Sequence, residues 1–277
     1  MATVNVSSWA EFAAAVQVAG DTVVCPENAA WDMNEIAPEG ITFPTVYAAE
    51  IRGNGTTIKN LRATAPLVFD YAGAQAVNSL HIENFIVTSG EYFLRKSRIE
   101  SVSDKSVQFN GCKISGLLPS TASALCMTNS STQNIAAVYF SRCAIVVEFP
   151  TSSGGYLTIN PTGGGFSYSR IRVYAPNYTG ATYWQLEMQN ASWCAIRLDC
   201  PQLERVSFGG CVACAIDGDL PALTTQVGTL GTSYISIFNA DSAPNLPSSA
   251  RLIGVTREQM YNPAYLNSIG FPIGVEE

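Results

Sequence analysis

Histidine occurs once in this chain, at His81, and charged side chains make up only 13% of its 277 residues. A site built from several imidazoles is excluded, and any Ser-His-Asp or Cys-His relay would have to centre on His81. Basic residues are also scarce. The 15 Lys and Arg face 22 Asp and Glu, a net charge of −7, and no basic run is present that could neutralise a row of phosphates. Nucleic acid and an anionic membrane surface are therefore not expected partners. Although 47% of the residues are apolar, no stretch approaches the roughly 20 apolar residues of a membrane span. The opening MATVNVSSWAEFAAAVQ has no basic segment, and Ser7, Ser8 and Glu11 interrupt its apolar residues, so it does not read as an export signal. The eight cysteines are accordingly expected as free thiols, made in a reducing cytosol, and not as a disulfide framework.

What the chain does have is glycine, small polar residues and a repeat. The segments VQFNGCKI (107–114), VYFSRCAI (138–145) and VSFGGCVA (206–213) share V-x-F-x-x-C. Relaxed to apolar-x-apolar-x-x-apolar-x-apolar, the pattern also fits octets starting at residues 51, 80, 166, 186 and 235, with starts 20 to 31 residues apart. Each octet reads as two short strands joined by a corner, with side chains alternating along each strand. The fifth, corner position holds Gly55, Asn84, Gly111, Arg142, Arg170, Asn190, Gly210 and Asn239. Six of these eight are Gly or Asn, the residues that tolerate a left-handed backbone. In this frame Phe109, Phe140, Tyr168 and Phe208 form one inward column, and Cys112, Cys143 and Cys211 fall in another. The repeated cysteine is thus expected to serve packing rather than chemistry. Cys211-x-x-Cys214 resembles half of a zinc site, but its first thiol points inward, so neither a metal nor a cofactor is expected.

A repeat of this period with a Gly/Asn corner resembles the right-handed parallel β-helix, the pectate-lyase-like architecture of polysaccharide lyases, polygalacturonases and many phage tailspikes. The resemblance covers about residues 21 to 245. It implies an all-β, single-stranded parallel solenoid. Residues 1–20 would form a strand and a capping helix, with Ser8 and Glu11 as its N-terminal box and Gly20 as its stop. Residues 246–277 would form a linker and a C-terminal cap, started by Thr256-x-x-Gln259 and Asn262-Pro263.

For function, the resemblance implies a structural or binding protein of a phage virion: a head decoration, a fibre or a tail-associated protein assembled in the host cytoplasm. Its partners would be capsid or tail proteins and a host surface glycan, and its assembly a homotrimer. Arg142 and Arg170, read as corner cations one coil apart, together with Tyr174, Tyr178 and Trp184 are the candidate binding residues. The alternative is a polysaccharide lyase or glycoside hydrolase. Its candidate acids are Asp217 and Asp219, which would share a face if extended, although AIDGDLPAL also reads as a turn before Pro221.

Overall fold

The computed structural model of the chain describes residues 1–90, 92–96, 106–118, 124–128, 130–131, 134–135, 137–149, 157–158, 164–177, 186–189, 191–201, 205–219, 225–227, 236–241 and 252–271. Tyr178 and Trp184 lie outside these residues. The protein is β-rich with few helices, and has three long parallel sheets of eight, eleven and seven strands. Among the described residues, the antiparallel pair Ser130–Ser131 with Asn134–Ile135 is the single departure from parallel pairing. The chain visits the sheets in turn. Gln75–Asn78 lies in the first sheet, His81–Val87 in the second and Tyr92–Lys96 in the third, after which Ser106–Asn110 returns to the first beside Gln75–Asn78. We call one such circuit a rung.

Parallel in-register pairing sets equivalent residues of successive rungs about 4.8 Å apart, so like side chains stack into columns. The second sheet carries the most regular one: Ile58, Ile82, Ile114, Ile145, Ile171, Ile196 and Ile216, consecutive in register and all buried. In the first sheet Ile51, Val77, Phe109, Phe140, Phe166 and Ala191 form the facing column. The ring pairs Phe109–Phe140 and Phe140–Phe166 stack at 5.0 and 5.2 Å between centroids, within 18° of parallel. Side chains of the two columns meet in one continuous core.

This register corrects the sequence frame. Phe166, not Tyr168, follows Phe140, so the corner of that rung is Tyr168, and Arg170 opens the next strand beside Ala144. Arg142 and Arg170 therefore do not share a column. Asn84 has the expected left-handed backbone, φ 54°, but the bend between the first and second sheets in that rung is at Ser79; Asn84 lies within the strand His81–Val87, in a bulge where Phe85 pairs with Gly116. Phe208 belongs to the third sheet, paired with Met188, and has no place in the phenylalanine stack. The final rungs place Cys211 after Ala191 and Cys214 one position past the corner residue Ala213.

Between the first and second sheets the corner residues are Ser79, Gly111, Arg142, Tyr168, Trp193 and Ala213, all with positive φ between 50° and 62°. Each of the first five donates its N–H to the next rung, as Gly111 N does to Ser141 O at 2.9 Å, so the ladder continues through the bend. The residue after the corner is buried: Leu80, Cys112, Cys143, Ser169, Cys194 and Cys214 in successive rungs, with Ser236 in register beyond Cys214. Their thiols and hydroxyls donate to inward carbonyls: Cys112 to Val77 O, Cys143 to Phe109 O, Ser169 to Phe140 O, Cys214 to Ala191 O and Ser236 to Cys211 O, at 3.3 to 3.5 Å. The repeated cysteine is a small hydrogen-bond donor in a packed column, interchangeable in place with serine.

Both ends of the stack are covered. Helix α1 (Trp9–Ala15) is capped by the Ser8 side chain on Glu11 N and buries Phe12 against Trp31 at 5.2 Å. Helix α2 (Met33–Ile36) follows the first strand of the second sheet. At the far end α3 (Arg257–Met260) carries a complete Thr256–Gln259 capping box, and α4 (Pro263–Ser268) is capped by Asn262. Met260, Leu266 and Phe271 pack there on Ile237 and Val255.

Column identity makes two substitutions differ. In urea denaturation, Cys143→Ser is expected within about 1 kcal/mol of the parent, while Cys143→Val, which lacks the donor, loses about 1 kcal/mol more. Equal stability of the two variants would mean that the bonds to Phe109 and Ser141 carbonyls contribute nothing. Phe140→Ala should cost about 3–5 kcal/mol.

Candidate functional site

The outward face of the second sheet gathers most of the described candidates. Alternation along each strand turns Ala144, Val146 and Glu148 outward, then Arg170, Arg172 and Tyr174, then Ala195 and Arg197, then Ala215 and Asp217. Register aligns these in rows across the strands, with Val146, Arg172, Arg197 and Asp217 in one and Glu148, Tyr174 and Asp199 in the next. Two hollows occupy this face. One, of about 470 Å³, is lined by Asn84, Ser115, Gly116, Glu148 and Tyr174, and the other, of about 430 Å³, by Arg170, Ala195, Arg197, Asp217 and Tyr261. Val146 and Arg172 line both, so the hollows form one groove. The bulge at Asn84 lies at its upper end, where Gly116 is required because a β-carbon there would strike the Phe85 carbonyl and ring.

The central carboxylate is Asp199. Arg172 Nε donates to its Oδ2 at 2.7 Å and Arg197 Nε to its Oδ1 at 2.9 Å; the covering guanidiniums leave the residue only 7% exposed. Burial alone would raise its pKa, but the bonds and charges of Arg197 and Arg172 outweigh it and hold the carboxyl below its usual range. Asp217 lies in the strand Ala215–Asp219, so AIDGDLPAL does not turn at that aspartate. Its Oδ1 accepts from Gly218 N and Asn239 Nδ2, both at 2.8 Å. Asn239 in turn accepts from Asp241 N, and Asp241 from Arg257 N, a relay that fastens α3 to the groove floor. Asp219 aligns with Asp199 in register.

Arg142 stands apart from the groove, at the corner. Its guanidinium lies 5.9 Å over the Tyr168 ring, which stacks in turn on Trp193 at 6.1 Å and 13°. This exposed ladder offsets part of the left-handed backbone at three bulky residues, where each costs about 1–2 kcal/mol. Sequence reasoning missed it because the two-residue slip placed Tyr168 inside.

The buried thiols are perturbed in both directions: the hydrogen bond with Cys112 lowers the Cys143 pKa, while others are raised. Burial pushes the Cys25 pKa up to about 12, and Cys112 is raised by its neighbour Cys143 and by burial. The seven described cysteines are buried, and no group of three or more metal-ligating side chains occurs among the described residues. Comparison of the chain with protein-family models, curated proteins and solved structures returns no match.

His81 Nδ1 accepts from Lys113 N at 3.1 Å, and its pKa is lowered by burial and by the Lys113 charge. The neutral ring is therefore the form the fold favours. Its stabilising contribution is full above the ordinary value of 6.5 and is lost as pH falls below it. Melting temperature should accordingly drop from about pH 7.5 to 5.5, with a shallower drop in His81→Gln; identical slopes in the two proteins would refute this role.

Proposed function

We propose that the three parallel sheets are the faces of a right-handed parallel β-helix, and that the chain is a non-catalytic structural and binding component of a viral particle whose groove meets a host surface glycan. The locked state of Asp199 carries this reading. A carboxylate held by two arginines and kept ionised is a rigid acceptor, not a proton donor. Around it the groove offers recognition groups: Tyr174, 39% exposed, for the apolar face of a sugar ring, and half-exposed guanidinium groups for vicinal hydroxyls. The sparse surface charge and the buried thiols agree with cytosolic assembly into a particle. The virion setting rests on the resemblance of the repeat to tailspike-like solenoids.

A second reading, glycoside cleavage, is favoured by one observation. Glu148 and Asp199 share a row with Tyr174 between them, two strands apart, which at the usual strand spacing is about 10 Å, close to the separation of an inverting pair.

The two readings separate in one experiment on a panel of bacterial and plant polysaccharides. Binding without release of reducing ends or unsaturated products, weakened about tenfold in Tyr174→Ala, supports the binding module. Turnover that disappears in Glu148→Gln and Asp199→Asn establishes the enzyme instead. Mass spectrometry of purified particles should find the chain among their structural proteins, and its absence there would remove the virion assignment.

A further inference from the structure

The second hollow holds a positive charge that no described group answers. Arg170, Arg172 and Arg197 supply three of the chain's 15 basic residues to one small surface on a protein of net charge −7. Arg172 and Arg197 bind Asp199, and Asp217 stands opposite Arg197 in register. Two guanidiniums thus face two carboxylates. Arg170 is the surplus: exposed, flanked on the adjoining strands by Ala144 and Ala195, its side chain forms no hydrogen bond or ion pair with any described residue. Asp217 forms no ion pair with it; its Oδ1 accepts from Gly218 and Asn239.

The remainder of the hollow is apolar or aromatic. Ala144, Ala195 and Ala215 form a flat floor, and Met260 and Tyr261, at the end of α3, form one wall. The Tyr261 residue is 69% exposed.

We infer that this hollow binds a small organic monocarboxylate, with the carboxylate taken by Arg170 and an apolar body lying on the three alanines against Tyr261. One uncompensated charge matches a monoanion better than a dianion. A planar guanidinium pairs with a planar carboxylate through two parallel N–H···O bonds, which a tetrahedral anion matches less well in a shallow site. The volume of about 430 Å³ leaves room for a body the size of an aromatic ring beyond the carboxylate itself. Because Tyr261 follows α3, which the Asp217–Asn239–Asp241 relay ties to the sheet, an occupant would bridge the sheet and the C-terminal cap and raise the melting temperature by mass action. The inference stands whether or not the groove also accepts a glycan.

Thermal unfolding at constant ionic strength tests it, with benzoate, acetate, benzyl alcohol and inorganic phosphate as probes. Benzoate should raise the melting temperature saturably, acetate and phosphate should act only at markedly higher concentration, and benzyl alcohol should have no saturable effect. Arg170→Gln, at an exposed position without a partner, should weaken benzoate about tenfold or more. Arg142→Gln, which removes the same charge from a corner outside the hollow, should leave benzoate binding unchanged. The inference is overturned by the lack of a saturable benzoate shift in the parent, by an unchanged shift in Arg170→Gln, by equal losses in both arginine variants, or by phosphate binding at least as tightly as benzoate.

Discussion

Everything in this protein depends on the in-register pairing of parallel strands. Pairing of Phe109 with Phe140 and of Phe140 with Phe166 leaves no freedom in what lies above what: each side chain sits about one strand spacing from its equivalents before and after. Identical shapes then pack without voids, which is why isoleucine recurs on seven consecutive strands of the second sheet. The same constraint that builds the core aligns Arg172 with Arg197 and Tyr174 with Asp199 on the outside. Core and groove are two faces of one register.

The corners are where this arrangement costs most, and the chain meets that cost locally. A left-handed residue ends the first-sheet strand at six successive corners, Ser79 to Ala213, and burial of the next residue brings polar backbone groups into the core. Thiols and hydroxyls just past the corner donate to inward carbonyls, so the bend is satisfied without water. Where the corner residue is Arg142, Tyr168 or Trp193, stacking with the neighbours offsets some of the backbone penalty. Asparagine plays the same part on the next edge, where Asn60 donates to Asp32 at 2.9 Å and itself has a φ of 56°.

The groove follows from a contrast within the second sheet. Interior positions are filled by large aliphatics, while outward positions alternate alanine with arginine, so the surface is flat at Ala144, Ala195 and Ala215 and charged around them. The bulge at Asn84 ends one side and the C-terminal cap the other. Inside it two arginines fix Asp199 and Asp217 is tied to Asn239, which leaves Arg170 without a partner among the described residues. Such a site is rigid before any ligand arrives, which favours recognition over proton transfer.

The period of the repeat, the left-handed tolerance of its corners and the packing use of cysteine could all be read from the residues, because alternation and φ preference are local properties. Gly111 and Arg142 fell where the octet put them. The register of each rung could not be read in this way. A slip of two residues keeps every side chain on its own face, so FSYSRIRV satisfies the apolar pattern whether its corner is Tyr168 or Arg170, and only the stacking of Phe166 on Phe140 decides. VSFGGCVA fits the motif as well as its two predecessors, yet its strand pairs in the third sheet because the rung there is shorter. The sequence by itself therefore determined a β-rich chain of short repeated strands with buried thiols. That Arg172 joins Arg197 on Asp199 was decided only when the strands paired, since Arg172 and Asp199 are 27 residues apart and meet through the spacing between strands.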